Sequence, residues 1–263
     1  MLKYMDQGPQ VRALIAQLRT LGFALEVTDR FDATVKKSVE AFQVSNVDAS
    51  GQPLKVDGKV GPNTLWAIDA ALGLQTLLIR GSPELPDPPD GGSRSGRQAL
   101  SIALREATAN CGESGSDNHG PDVRRYLKGH ASEGDSWCAG FISYCFHEAL
   151  GHDGVMGYLV GAQHIHRRMS ELGHAYTPAL SNPPQPGDVI VWRRIDPIRP
   201  KQTSWQGHVG IVHSFTNGIL WTVEGNRGPY PAIVRAFRYS WSDLVGSSQS
   251  DRFKGLFGLS RHP

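Results

Sequence analysis

The sequence predicts an α+β protein in two parts: a small N-terminal helical bundle, and a larger C-terminal part in which a helix packs on an antiparallel sheet. Three observations predict it. Apolar residues recur at helical spacing through the first 72 positions. The stretch 80–97, RGSPELPDPPDGGSRSGR, holds four Pro and four Gly, which can propagate neither a helix nor a central strand. Beyond it, an apolar helical stretch stopped by Gly151 is followed by β-branched runs separated by turn signals. The expected boundaries are therefore 1–79 for the bundle, 80–97 for a semi-stiff linker and 98–263 for the larger domain.

Composition narrows the function classes. The 263 residues carry a net charge of +2, with eight basic and eight acidic residues in 1–79, so neither part is a charged arm for nucleic acid. Three cysteines cannot build a disulfide framework, and their spacing (Cys111, Cys138, Cys145) contains no CxxC pair for zinc. No apolar run approaches the length of a membrane span. The opening MLKYMDQGPQVRAL has neither an apolar core nor a small-residue cleavage site, so no secretory leader is expected.

In the N-terminal part, Val11, Leu14, Ile15, Leu18 and Leu21 form the first helical stripe, ended by Gly22. Val35, Val39 and Phe42 form the second, with Asp32 or Thr34 as its N-cap. Leu65, Ile68 and Leu72 form the third, with Asn63 or Thr64 as cap. Here the residues resemble a known module. The stretch GPQVRALIAQLRTLGF…DRFDATVKKSVEAFQ…LKVDGKVGPNTLWAI is similar to the peptidoglycan-binding domain of cell-wall hydrolases, over residues 8–72. Its most specific parts are Ala41-Phe42-Gln43 and Val56 to Thr64. The first turn departs from that pattern, reading Asp29-Arg30-Phe31-Asp32. The resemblance implies peptidoglycan as partner; without it, Phe42 and Leu65 are simply core.

In the C-terminal part, DSWCAGFISYCFHEAL predicts a helix with Asp135 or Ser136 as N-cap and Cys138 in the first turn. Free backbone N–H groups and the helix dipole there favour an anion, which lowers a thiol pKa and stabilises a developing oxyanion. Cys145 lies two turns deeper and reads as core; Cys111, in a Gly- and Ser-rich loop, has no assigned role. Three strands follow: Asp188–Trp192, Gly207–Phe215 and Ile219–Glu224. Their turn, Thr216-Asn217-Gly218, decides the register. A two-residue turn pairs Thr216 with Ile219 and puts Glu224 on the face away from His208. A three-residue turn places His208 opposite Asn226 and Gly210 opposite Glu224, all on one face, with Gly210 leaving room for the carboxylate. That second register builds a site and is the expected one. His213 then falls on the other face, as a structural residue. His164 and His166, two positions apart on an expected helix from Gly161 to Gly173, are poorly placed as joint metal ligands.

The order Trp137-Cys138-Ala139, Pro186-Gly187-Asp188, Gly207-His208-Val209-Gly210 and Val223-Glu224-Gly225-Asn226 resembles the CHAP family (cysteine, histidine-dependent amidohydrolase/peptidase) over residues 98–260. The stretch Asp117 to Leu127 is also similar to members of that family. The resemblance implies a papain-like fold with Cys138 as nucleophile, His208 as base, and Glu224 and Asn226 as polar partners. Either of the last two is open as the imidazole's orienter. Some members carry a calcium loop of alternating Asp before the cysteine; GHASEGDSW offers only Glu133 and Asp135, so no calcium, metal or cofactor is expected.

Together the resemblances imply a peptidoglycan hydrolase that cuts an amide, as an N-acetylmuramoyl-L-alanine amidase or a stem-peptide endopeptidase. The linker would tether the wall binder to the hydrolase and raise its effective substrate concentration. The competing readings are a non-catalytic wall binder with a degenerate papain-like domain, and a thiol protease acting on proteins. Candidate substrate-binding residues are Trp137, Asn118 and Trp205; Trp221 reads as packing. A protein made in the cytoplasm without a leader would reach the wall through a holin, as phage endolysins do, or by injection as a type VI secretion effector. The second route implies a secretion apparatus and an immunity protein that plugs the Cys138 site. Neither a nucleic acid nor a membrane is expected as partner.

Overall fold

The computed structural model describes residues 1–75, 85–179, 181–195, 203–244 and 256–263, apart from the side chains of 194, 195, 203–206, 256 and 257. The N-terminal bundle has three helices: α1 (Pro9–Thr20), α2 (Ala33–Ser45) and α3 (Pro62–Ala71). Asp32 caps α2, its Oδ1 accepting from the N–H groups of Thr34 and Val35 at 2.8 and 2.9 Å. The cap of α3 is Gly61 with Pro62 in the first turn, not Asn63 or Thr64. Thr64 is buried instead, where its hydroxyl accepts from Gln43 Nε2. Gln43 explains the most specific segment of the module. Its amide, 1% exposed, donates to Asp57 and the Lys59 carbonyl and accepts from the N–H groups of Asp57 and Gly58. One side chain thus ties the 56–60 loop to α2. Leu65 is 45% exposed and is not core, whereas Phe42 and Ile68 are buried.

The larger part contains α4 (Arg94–Thr108), α5 (Pro121–Leu127), α6 (Cys138–Leu150), α7 (Ala162–Glu171) and α8 (Trp241–Leu244). Helix α4 starts four residues inside the expected linker, because Ser93 caps it through the Gly96 N–H. Among the described residues the strands are β1 (Ala175–Tyr176), β2 (Val189–Ile195), β3 (Thr203–Thr216), β4 (Ile219–Glu224), β5 (Arg235–Ser240) and β6 (Leu256–Ser260). They form one antiparallel sheet in the order β1-β6-β2-β3-β4-β5. The Pro-Gly-Asp motif before β2 has a structural reason. Gly187 (φ +87°) passes so close to Gly96 of α4 that a Cβ would sit 2.2 Å from its carbonyl carbon. The buried Asp188 carboxylate then accepts from Tyr176, Arg261 and the Gln185 N–H.

Both faces of the sheet are covered, so its central strands read as continuous apolar runs. Val189, Val191, Val209, Ile211 and Val223 pack with α4, α6 and α7. Ile190, Trp192, Val212, Leu220, Phe237 and Tyr239 pack with Val44, Val47 and Val56 of the N-terminal bundle. The N-terminal part is therefore docked on the sheet. Polar contacts reinforce the apolar ones: Gly228 N–H donates to the Ser45 carbonyl at 3.0 Å, and Lys55 pairs with Asp243 at 2.7 Å. No helix among the described residues is long and apolar enough to cross a membrane.

Candidate active site

Cys138 is the first residue of α6, with Trp137 at the N-cap and no side-chain cap among the described residues. Asp135 and Ser136 do not cap the helix; the Asp135 carboxylate accepts the Ser132 N–H instead. The thiol therefore sits at the positive end of the α6 dipole, where an anion is favoured. Sγ of Cys138 lies 4.0 Å from the carbonyl oxygen of Gly207, the residue preceding His208. The other two thiols are unsuited to the same chemistry. Burial pushes both Cys145 and Cys111 upward, and the nearby Glu106 carboxylate adds to it.

His208 projects from β3 beside Gly210, opposite β2 and β4. Its Nε2 is 2.7 Å from Glu224 Oε2, with both side chains buried. The register that makes this pair arises differently from the expectation. The turn is a two-residue one, Asn217 (φ 52°) and Gly218 (φ 73°), with Thr216 opposite Ile219. A bulge at His213 then shifts the pairing by one residue, so that Val212 faces Thr222 and Ile211 faces Val223. Continued toward the site, this sets Gly210 opposite Glu224. A Cβ on Gly210 would lie 2.6 Å from Glu224 Cγ. His213 itself is buried and bonded to Ser214 and the Pro86 carbonyl.

Glu224 has no solvent exposure. Burial raises its pKa, but the Arg227 guanidinium and the His208 and Thr222 hydrogen bonds outweigh it and hold the carboxyl down to about 2. Its Oε1 accepts from Thr222 Oγ1 (2.5 Å) and the Tyr239 hydroxyl (2.6 Å), and its Oε2 from His208 and from Arg227 Nη1 (3.1 Å). An ionised carboxylate only accepts, so His208 carries its proton on Nε2.

Asn226, left-handed at φ 58°, takes a different post. Its Oδ1 accepts the Trp137 N–H at 3.1 Å, and its Nδ2 donates to Asn118 Oδ1 (2.6 Å) and Glu113 Oε1 (3.3 Å). The structure thus resolves the open pair: Glu224 contacts the imidazole, and Asn226 fastens β4 to the entry of the cysteine helix. Two of the expected substrate-binding residues are engaged elsewhere. Trp137 is fully buried, stacked on Tyr126, and donates from Nε1 to Glu113 at 3.0 Å, so it is core and not a groove wall. Its ring lies against Gly225, where a Cβ would come within 2.2 Å. Asn118 is half-buried and held by Asn226. The side chain of Trp205 lies outside the described residues. Glu133 accepts from the Gly120 N–H and pairs with Arg124.

Sequence reasoning missed four residues of this network. Thr222 shares the Glu224 face by simple alternation and was findable. Arg227 follows Asn226 directly, yet nothing in its spacing marks it as buried. Tyr239 lies on β5, which carried no strong strand signal. Glu113 sits in the Cys111 loop, and burial raises its pKa, in the opposite sense to Glu224.

With this geometry in view, the comparisons are specific. Residues 130–226 match the CHAP domain family, a span running from just before the cysteine helix to Asn226. The chain carries a CHAP domain. Residues 7–68 match the peptidoglycan binding domain family, so the helical bundle docked on the CHAP sheet is that module. No curated protein and no solved structure matched the chain. The two domains together support a cell-wall hydrolase in general.

Proposed function

We propose that the protein hydrolyses an amide bond of peptidoglycan by a thiol mechanism, as an N-acetylmuramoyl-L-alanine amidase or a stem-peptide endopeptidase. The observation that carries the reading is the buried His208–Glu224 pair, set one residue from the carbonyl that Cys138 Sγ approaches at the start of α6. In this reading Nδ1 of His208 takes the thiol proton, and the thiolate attacks the carbonyl carbon. The tetrahedral oxyanion is held by the first N–H groups of α6. The C–N bond then breaks as His208 protonates the departing amine, and a water deprotonated by His208 hydrolyses the thioester. Glu224 keeps the imidazole in the productive tautomer, and Asn226 fixes the approach of α6. The bundle brings the site to the wall. A lytic or antibacterial role is part of the same reading.

The test is digestion of purified sacculi by the wild type and by Cys138→Ala, with released fragments identified by mass spectrometry. Fragments from the wild type alone are expected. A free lactyl carboxylate with a new L-Ala amine names an amidase; a cut inside the peptide names an endopeptidase. Equal release by both proteins, or none by either while both pellet with sacculi, would overturn the mechanism.

A further inference from the structure

Arg227 is 3% exposed, an unusual place for a guanidinium. Its Nη1 donates to Glu224 Oε2 at 3.1 Å, the same oxygen that accepts from His208. Its guanidinium carbon lies 5.8, 5.6 and 5.5 Å from the ring centres of Trp192, Phe237 and Tyr239. Trp192 also tilts against the His208 ring at 5.6 Å, so one indole borders both partners that share Glu224 Oε2. The peptidoglycan-binding module adjoins this cage: Gln52, Leu54 and Lys55 border a cavity of about 310 Å³ that Trp192, Arg227 and Tyr239 also line.

We propose that Arg227 is a positioning residue of the hydrolase: its caged guanidinium keeps the Glu224 carboxylate aimed at His208 Nε2, so that Nδ1 is the nitrogen presented to the thiol. This rests on the thiol-hydrolase reading above. A carboxylate without solvent contact is an ion only beside a compensating cation. The neighbouring groups are His208 from β3, Thr222 from β4, Tyr239 and Arg235 from β5, and Arg227. On the side of the bundle, Lys55 is already paired with Asp243. The hydroxyls of Thr222 and Tyr239 donate without charge. Arg235 lies across from Glu224 on β5 and is also buried, with its guanidinium against Gly51 of the bundle. His208 must be free to lose its charge during turnover. Among the described residues Arg227 is the permanent cation hydrogen-bonded to the carboxylate. Without it Glu224 takes up a proton and donates to Nε2, and the imidazole proton moves to Nδ1. A thiol then faces an N–H where it needs a lone pair.

The test uses the full chain with Arg227→Gln and Arg227→Lys. The tautomer is read from the imidazole 15N shifts of His208 in a Cys138→Ala background near pH 8, a measurement that needs no turnover. The Nε2–H form is expected in the parent and with Lys, and the Nδ1–H form with Gln. In the active background, Gln should lower kcat on soluble muropeptides on the order of 100-fold with KM nearly unchanged, and Lys should restore most of it. An unchanged tautomer with Gln, or equal losses with Gln and Lys, overturns the proposal. If the wild type cleaves nothing, the functional reading fails while the 15N shifts still decide the arginine's role. If Arg227→Gln does not fold, Glu224→Gln is compared with the double variant Glu224→Gln/Arg227→Gln, which buries no uncompensated charge. The same tautomer and kcat in both would show that Arg227 acts through Glu224; a further loss in the double variant would overturn that.

Discussion

Gly210→Ala tests whether the room on β3 is what lets the carboxylate reach the imidazole. The backbone at Gly210 is not left-handed, so the effect is purely one of space. The added methyl would sit 2.6 Å from Glu224 Cγ and 3.3 Å from Cδ, and ordinary contact begins near 3.4 Å. Glu224 must therefore retreat by about 0.8 Å (3.4 minus 2.6), in a site packed on every side. Moved directly away, Oε2 would go from 2.7 Å to about 3.5 Å from His208 Nε2, the outer edge of a hydrogen bond. A misplacement near 1 Å costs on the order of 100-fold in rate. Overpacking costs about 1–3 kcal/mol, and removing a strand glycine returns about 0.5–1 kcal/mol. At the middle of those ranges the net loss is about 1 kcal/mol, or roughly 2–4 °C in Tm for a domain of this size. The assay is kcat on soluble muropeptides together with a circular dichroism melt. The control is Gly61→Ala, a position with negative φ and nothing within 4 Å of an added Cβ. A folded Gly210→Ala protein with kcat within threefold of wild type would mean that the carboxylate does not depend on this space.

The low pKa of Glu224 makes a stability prediction. Its folded value, about 2, lies below the ordinary 4.5, so the native state holds fewer protons on this group than the unfolded chain between those values. The stabilisation is complete above about pH 4.5 and is lost as pH falls toward 2. It should amount to a few kcal/mol at about 1.4 kcal/mol per pH unit. Urea melts between pH 6 and pH 2 should show a fall that Glu224→Gln lacks; equal slopes would sink the assignment. In the bundle, Gln43→Ala removes the amide that holds Gly58 N–H and Asp57 N–H and should cost about 2–3 kcal/mol. Pelleting with sacculi should weaken while turnover of soluble muropeptides persists; undiminished pelleting would mean the 56–60 loop does not shape the wall-binding surface.

Much of the site was legible because it follows from short-range rules. Cys138 in the first turn of a glycine-terminated helix needs only periodicity, and His208 and Glu224 on adjacent paired strands need only the strand and turn signals. The register shows the limit. Asn217-Gly218 does form the two-residue turn that its composition favours, which by itself would have separated the pair. A single extra residue at His213 restores it, and bulges leave no reliable mark in one sequence. The caps at Asp135 and Asn63 failed for a related reason: Trp137 and Gly61 occupy those places because packing against Gly225 and the Pro62 turn decides the helix start. Arg227, Tyr239 and Glu113 were illegible because their burial is a tertiary fact. Arg227 reads as surface until Trp192, Phe237 and Tyr239, from two different strands, close round it.

The docking of the bundle on the sheet bears on how such chains can be recombined. Trp192, Phe237, Tyr239 and Leu244 belong to one domain by sequence, but they pack in one apolar cluster with Val44, Val47 and Val56 of the other. Cutting the chain in the Pro-rich stretch, or grafting the hydrolase onto a foreign anchor, would wet that surface unless the newcomer offered a matching apolar edge. Inheritance of the two modules as a matched pair is therefore written into the packing of one sheet face, and not into the tether that joins them.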